Sequence, residues 1–233
     1  MPQGVIFDMD GVLVDSGPPH QESWRILAHR HGIALSDEAF LRTFGMSSRE
    51  IVRLIWGDQL SDAAAREIDD QKEAVYRELI TGRVPLSAGV AETLAALSAA
   101  GYRLAVGTSG PPENVELVLR ETGLADYFVA TVNGFDVPRG KPAPDIFLKA
   151  AGRAGLRPAE CVVIEDAPVG VQAGVAAGMR VIGYTGTHPA ARLMEAGAAG
   201  TVDHLAEITP VLIGGLLRGQ VPAGEPGRDA RRL

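Results

Sequence analysis

Three aspartates lie close together near the start of the chain, directly after an apolar run. The segment GVIFDMDGVLVDSG carries them as Asp8, Asp10 and Asp15. Neighbouring carboxylates repel one another, so a fold that holds them together needs a compensating cation. A hard divalent ion with oxygen ligands, such as Mg²⁺, suits such a cluster. The segment therefore predicts a site for a divalent cation.

Further polar side chains follow other apolar segments along the chain. Thr108 and Ser109 come after one of them, Lys141 lies in RGKPAPD, and Glu165 and Asp166 lie in VVIEDAPVG. Taken singly, each has an ordinary explanation as a turn residue, a helix cap or a solvated surface side chain. Taken together, two acidic pairs, hydroxyls and a lysine at successive strand ends predict a single cleft.

This set of side chains suits phosphoryl transfer. One aspartate can attack phosphorus and form an aspartyl-phosphate, which splits one hard step into two easier ones. A second aspartate, two residues further on, can protonate the leaving oxygen and later deprotonate the attacking water. A metal ion neutralises the phosphate so that a carboxylate can approach it. Lys141 and the hydroxyl of Thr108 can hold the phosphoryl oxygens as charge shifts in the transition state.

The elements that must position these groups alternate along most of the chain. A short buried strand is predicted at 4–7, and helical periodicity dominates from about 19 to 80. After the linker TGRVPLSAG, helices are predicted at 90–100, 113–122, 145–154 and 169–177, and strands at 102–107, 129–132, 161–164 and 180–184. Strands separated by helices of this length indicate a parallel sheet that is covered on both faces.

The fold class is therefore α/β, with a small helical region inserted after the first strand. We expect a core domain at 1–17 and 84–218, and an inserted all-helical domain at 18–83. The tail at 219–233 is rich in Gly and Pro and has no apolar period, so we expect it to be disordered.

Composition limits the remaining function classes. Of the 233 residues, 46% are hydrophobic and 22% charged, which is ordinary for a globular protein. The net charge of -7, without a basic stripe, argues against a nucleic-acid partner. No segment approaches 18 unbroken apolar residues, and the N-terminus does not read as a signal peptide. Cys161 is the only cysteine, so we expect no intrachain disulfide and a cytoplasmic location. We expect a monomer, with a dimer as an open alternative.

The motifs resemble those of the haloacid dehalogenase superfamily. FDMDGVLVDS resembles its first signature, and Thr108, Lys141 and IEDAPVG match its second, third and fourth motifs in order. The resemblance extends over about 4–183. It implies a Rossmann-like core domain with a C1-type helical cap, and Mg²⁺ as cofactor.

The resemblance also implies a role for each motif residue. Asp8 would be the nucleophile and Asp10 the general acid and base, while Thr108 and Lys141 would hold the phosphate and the intermediate. The Mg²⁺ ligands would be Asp166, Asp8 and the backbone carbonyl of Asp10, with Glu165 as a ligand or next to the ligands. The dehalogenase branch lacks an acid/base aspartate at this position, so Asp10 argues against dehalogenation.

The opening FDMDGVLVDSGPPHQESW is similar to that of the β-phosphoglucomutase-like branch, including His20. In the mutases this histidine aids cap closure and proton transfer. GMSSREI is similar to the cap stretch that touches the sugar. The residues that we expect to contact substrate are Ser109 and Gly110 in the core and His20, Gly45, Ser48 and Arg49 in the cap.

One feature of the cap departs from this branch. The mutases carry a lysine near a tyrosine on the last cap helix, whereas this chain reads VYRELI, with Arg77 and Glu78 after Tyr76. A mutase must retain a bisphosphate intermediate, and this difference argues against such retention and therefore against a mutase.

Three functions are compatible with these residues. The first is a Mg²⁺-dependent phosphatase for a small phosphorylated metabolite, in particular a sugar or polyol phosphate. The second is a phosphosugar mutase of the β-phosphoglucomutase kind, which uses the same core chemistry. The third is a non-catalytic binding protein of the same fold. A degenerate relative should lose the nucleophile, the lysine or the metal acids, and this chain retains all of them.

Overall fold

The chain divides into two compact units in a computed structural model that describes residues 2–36 and 48–219. One unit comprises Met1–Asp15 with Pro85–Leu233, and the other comprises Ser16–Val84. Gly45 and residues 220–233 lie outside the described residues, so the predictions made for them stay predictions. The side chain of Arg49 is likewise not described.

The first unit is built on one sheet of six parallel strands in the order β3-β2-β1-β4-β5-β6. The strands are β1 (Gly4–Phe7), β2 (Arg103–Gly107), β3 (Phe128–Val132), β4 (Cys161–Glu165), β5 (Arg180–Tyr184) and β6 (Gly200–Val202). Every residue of β1 and β4 is buried, because helices cover both faces of the sheet centre. The strand order reverses between β1 and β4, where Phe7 pairs with Ile164. Ligands of such sheets bind beyond the carboxyl ends of the strands at this reversal.

The α-helices in the described part of the chain alternate with these strands, except that four helices lie between β1 and β2. They are α1 (Gly17–Arg30), α2 (Ser48–Trp56), α3 (Asp62–Ile80), α4 (Val90–Ala99), α5 (Pro112–Thr122), α6 (Asp145–Arg153), α7 (Pro168–Ala176), α8 (Ala190–Glu195) and α9 (Pro210–Leu217). The predicted α/β fold class is confirmed. The sequence analysis did not predict β6, α8 or α9.

The second unit is helical and has its own core. Trp24 and Leu27 of α1 pack with Val52 of α2 and Ile68 of α3 in one apolar cluster. Helix α3 begins after Ser61, whose hydroxyl accepts a hydrogen bond from the Ala64 N–H at 3.2 Å and so caps the first turn. This unit thereby provides a separate scaffold for the side chains of α1 and α3.

Within the described residues, no helix combines the length and the apolar character that a bilayer crossing demands.

Candidate active site

Three buried carboxylates meet at the carboxyl ends of the two central strands. Asp8 directly follows β1, and its N–H donates to the Ile164 carbonyl at 3.0 Å, which continues the strand pairing. Glu165 is the last residue of β4, and Asp166 comes next. One oxygen from each of the three carboxylates lies within 4.8 Å of the others. Asp8, Glu165 and Asp166 are 7%, 1% and 5% exposed. Backbone pairing of β1 with β4 thus brings together side chains more than 150 residues apart in sequence.

Lys141 supplies positive charge to this acidic cluster. Its Nζ donates to Oδ1 of Asp8 at 2.8 Å and to Oε1 of Glu165 at 2.7 Å. The same nitrogen lies 4.8 Å from the centroid of the Phe147 ring, a residue of α6, in a cation–π arrangement. The lysine side chain is only 6% exposed, so little solvent screens these contacts.

The pKa values reflect a shortage of positive charge. Burial raises the pKa of Asp8 to about 7, with Lys141 opposing and Glu165 adding to the shift. Burial, with the neighbouring Glu165 and Asp8 carboxylates, also raises the pKa of Asp166 well above its usual value. For Lys141, burial favours the neutral amine, but the Asp8 and Glu165 carboxylates prevail and raise its pKa. The Lys141 ammonium thus contacts two of the three carboxylates, those of Asp8 and Glu165.

The donor set fits a divalent, oxygen-preferring cation. All three side chains offer carboxylate oxygens, which are the ligands that Mg²⁺ prefers. Oε1 of Glu165 accepts a hydrogen bond from Lys141, and Oε2 of Glu165 accepts one from the Ala167 N–H at 2.9 Å. The carboxyl of Asp166 is hydrogen-bonded to the Thr187 hydroxyl. Glu165 is thus held in place by both of its oxygens. Asp10 is not part of this carboxylate cluster, and the role predicted for its backbone carbonyl stays a prediction.

Two glycines leave room for the acidic side chains. A Cβ on Gly11 would lie 2.0 Å from Oδ2 of Asp166, and the φ of +78° at Gly11 also disfavours other residues. A Cβ on Gly170, in the first turn of α7, would lie 1.6 Å from Oε1 of Glu165. Substitution at either position would displace a carboxylate of the cluster.

Thr108 organises the loop that follows β2. Its N–H donates to the Val132 carbonyl at 3.0 Å, and its hydroxyl oxygen accepts from the Gly110 N–H at 3.1 Å. A Cβ on Gly110 would lie 3.3 Å from Oδ2 of Asp10, so the Asp10 carboxylate lies beside this loop. Thr108 is buried, Ser109 exposed and Gly110 half-buried.

The structure therefore groups the sequence-derived core residues at one edge of the sheet. Asp8, Lys141, Glu165 and Asp166 form one contacting cluster. Asp10 and the Thr108–Gly110 loop lie next to each other, and the charge of Asp10 adds to the raised pKa of Asp8. The chemical role of each residue stays a prediction.

The helical unit contains a separate polar group built around a buried lysine. Lys72 of α3 is 3% exposed, and its Nζ lies 2.8 Å from Nδ1 of His20 and 2.7 Å from Oε1 of Glu73. The His20 ring stacks on Tyr76 with the ring centroids 3.8 Å apart. The Lys72 ammonium also lies 5.3 Å from the centroid of the Trp24 ring. Aromatic surfaces thus enclose the lysine, while the histidine and glutamate satisfy its hydrogen bonds.

Lys72 corrects one conclusion drawn from the sequence. The residues that directly follow Tyr76 in the sequence are Arg77 and Glu78, so no lysine was expected beside it. Lys72 precedes Tyr76 by four residues, so both lie on the same face of α3. Helical spacing could have identified it. Ser48, a predicted substrate contact at the start of α2, hydrogen-bonds the carboxyl of Asp69 on α3.

Comparison with known proteins assigns the family. Residues 2–178 match the model of the haloacid dehalogenase-like hydrolases. The chain belongs to this haloacid dehalogenase-like hydrolase family, and the resemblance of its four motifs is thereby confirmed.

Individual relatives include both phosphatases and a mutase. The chain is 37% identical to a fructose-1-phosphate phosphatase of Escherichia coli over 77% of this chain and 94% of that protein. It is 32% identical to a β-phosphoglucomutase of Bacillus subtilis over 78% of this chain and 82% of that protein. A family IA hydrolase from Entamoeba histolytica has a similar structure, with a TM-score of 0.85, 26% identity, and coverage of 93% of this chain and 99% of that one.

Proposed function

We propose that this protein is a Mg²⁺-dependent phosphatase that hydrolyses a sugar or polyol phosphate through an aspartyl-phosphate on Asp8. The observation that carries the proposal is the buried group of Asp8, Glu165 and Asp166, in which Lys141 bridges the first two. Membership of a hydrolase family and the phosphatase among the relatives support the reaction class.

In the first half-reaction, a carboxylate oxygen of Asp8 attacks phosphorus as the bond to the leaving oxygen breaks. Asp10 gives its proton to that oxygen, so the alcohol leaves neutral. The ammonium of Lys141 is placed to stabilise negative charge on the phosphoryl oxygens, and it already lies 2.8 Å from the nucleophile. The hydroxyl of Thr108 would donate to another of these oxygens while it still accepts from Gly110.

In the second half-reaction, Asp10 accepts a proton from water as the water oxygen attacks phosphorus. The acyl-phosphate bond breaks, inorganic phosphate leaves, and the Asp8 carboxylate is restored. Asp8 and Asp166 would hold Mg²⁺ together with the Asp10 carbonyl, while Glu165 and Thr187 orient the cluster. When bound, the ion supplies charge neutralisation between the carboxylates and the substrate phosphate.

A phosphosugar mutase is the second candidate. The β-phosphoglucomutase among the relatives favours it, and so does the buried Lys72 beside Tyr76, which gives the cap a cation that the sequence analysis missed. The two functions share the chemistry at Asp8 and Asp10. They differ in whether water or a second sugar hydroxyl takes the phosphoryl group.

A ³¹P NMR experiment distinguishes the candidates. The purified protein is incubated with Mg²⁺ and a panel of phosphate esters, including fructose 1-phosphate, sorbitol 6-phosphate and β-glucose 1-phosphate primed with glucose 1,6-bisphosphate. We expect free phosphate from one or a few esters, and none from the Asp8→Asn variant. A relocated ester signal without free phosphate would instead establish the mutase. No change in any ester would contradict both.

A further inference from the structure

An exposed aromatic ring lies at the same edge of the sheet as the site. Phe135 is 75% exposed, and it is the only aromatic side chain among the large exposed hydrophobic residues in the described part of the chain. It lies in a single 3₁₀ turn, Gly134–Asp136, that follows β3. Isolated apolar side chains on a surface are common. The construction and position of this turn are what distinguish Phe135.

The turn is held by many polar contacts for its length. Oδ1 of Asn133 accepts from the Phe135 N–H at 2.9 Å, and the Asn133 N–H donates to Oδ2 of Asp136 at 3.0 Å. Arg153 of α6 donates to both Asp136 oxygens, at 2.6 and 3.0 Å, and Lys149 donates to the Asp136 carbonyl. The hydrogen bonds from Arg153 and from the Asn133 N–H, in that order, lower the pKa of Asp136 to about 2. The backbone that carries the ring is therefore fixed on both sides.

The turn also packs directly against the loop beside the acid/base aspartate. The Gly134 N–H donates to the Gly110 carbonyl at 3.1 Å. A Cβ on Gly134 would lie 2.3 Å from the Ser109 carbonyl oxygen, so only glycine permits this approach. Gly110 in turn lies beside the Asp10 carboxylate. Phe135 is therefore the next residue after Gly134, which contacts the loop beside the proposed acid, Asp10.

A ring held in this way can bind at low entropic cost. An aromatic side chain has two rotatable bonds, and its backbone here is already ordered. Its face offers a nonpolar surface to the carbon skeleton of a sugar or polyol, whose hydroxyls point away from its C–H face. Gly110 adjoins both the Asp10 carboxylate and Gly134, so this turn is a near neighbour of the group that would protonate the leaving oxygen.

We propose that Phe135 is a specificity-determining residue, whose ring contacts the C–H face of the organic part of the substrate. This inference rests on the proposed phosphatase function and extends it. The preference for a sugar-sized leaving group would then depend partly on the Gly134–Asp136 turn of the core unit, which lies outside the four family motifs. The contact adds equally to binding of the substrate and of the transition state, so its loss should raise KM and leave kcat nearly constant.

The test compares Phe135→Ala and Phe135→Leu with Val211→Ala, a control that truncates an 81% exposed side chain on α9. Hydrolysis of sorbitol 6-phosphate and fructose 1-phosphate is compared with that of acetyl phosphate, whose leaving group is too small to reach the turn. We expect Phe135→Ala to lower the kcat/KM ratio of sugar ester to acetyl phosphate about ten-fold, through KM. Phe135→Leu should recover most of that loss, and Val211→Ala should match the wild type.

A binding arm separates this inference from the proposed function. Calorimetry measures the affinity of sorbitol 6-phosphate for Asp8→Asn and for Asp8→Asn combined with Phe135→Ala, and about ten-fold weaker binding by the double variant is expected. Wild-type hydrolysis with an unchanged ratio in Phe135→Ala would overturn the inference alone. A uniform loss of kcat on every ester, acetyl phosphate included, would also overturn it, because it would indicate a structural role. If the wild type neither binds nor hydrolyses any of the esters, the proposed function is overturned and this inference with it.

Discussion

The substitution Lys141→Met tests whether one ammonium holds the acidic cluster together. It removes the charge that lies 2.8 Å from Asp8 and 2.7 Å from Glu165. Methionine keeps an unbranched apolar chain against the Phe147 ring, so packing changes little. The measured effect should therefore be electrostatic.

The magnitude follows from the burial of the partners. Removing one member of a buried ion pair costs about 3–5 kcal/mol, because the remaining charge is uncompensated. Here the Asp8 and Glu165 carboxylates, 7% and 1% exposed, would both lose their partner. A carboxylate can escape part of this cost by binding a proton, and each pH unit changes the balance by about 1.4 kcal/mol. We therefore expect a loss of about 4 kcal/mol at pH 8, and a smaller one at pH 5.5.

Urea unfolding in EDTA at both pH values measures this loss. Lys149→Met is the matched control, since its ammonium pairs with Oδ1 of Asp136 at 3.4 Å while its side chain is 38% exposed. A surface pair of this kind contributes about 1 kcal/mol or less to the free energy of unfolding. Equal losses for the two variants at pH 8 would refute the assignment of Lys141 as the main counter-charge of the cluster.

Three further substitutions have defined expected outcomes. Asp8→Asn should lower turnover at least about 10⁴-fold in a phosphate-release assay. In EDTA, Asp8→Asn should also remove a pH dependence of stability, because the pKa of Asp8 is about 7 in the folded protein and 3.8 in the unfolded chain. Between pH 5.5 and pH 8 the free energy of unfolding of the wild type should fall by about 2 kcal/mol relative to that of the variant. A difference between the two proteins in urea unfolding that did not change with pH would contradict this. Asp10→Asn should lower kcat/KM, which reports the steps up to release of the leaving group, about 10²–10⁴-fold for sorbitol 6-phosphate. The loss should be smaller for acetyl phosphate, whose leaving group needs no proton, and equal losses in kcat/KM would argue against the acid role. Asp136→Asn should destabilise the Phe135 turn above pH 4. Because the pKa of Asp136 is lowered to about 2 in the folded protein, the difference in thermal unfolding between this variant and the wild type should shrink as the pH falls towards 2. A difference that grew at low pH would contradict the ion pair with Arg153.

The sheet and its strand ends could be predicted from the sequence because central parallel strands are continuous apolar runs. Strands β1 and β5 have the predicted bounds, and β4 extends one residue further, to Glu165. Strand β6 has only three residues, Gly200–Val202, and α8 only six, so neither gives a periodic signal.

The polar contacts behind the cluster were beyond prediction for a different reason. Thr187 binds the carboxyl of Asp166, and a Cβ at Gly11 would collide with the same carboxyl. Gly11 and Thr187 lie in the segments that follow β1 and β5, two strands that are separated by β4 in the sheet. Sequence spacing within one segment does not indicate such contacts.

Charge balance links the fold to the proposed chemistry more directly than any single residue does. Asp8 and Asp166 have raised pKa values because the folding of β1 against β4 buries them beside Glu165, and the Lys141 ammonium offsets this effect in part. Two added species can complete such a site: a divalent cation, which favours the charged form of both carboxyls, and a phosphate, whose oxygens compete with Asp8 for Lys141. The second effect frees the Asp8 oxygen that now lies 2.8 Å from the lysine. If Asp8 is the nucleophile, as proposed, binding of the substrate phosphate would weaken the contact that restrains it before the attack.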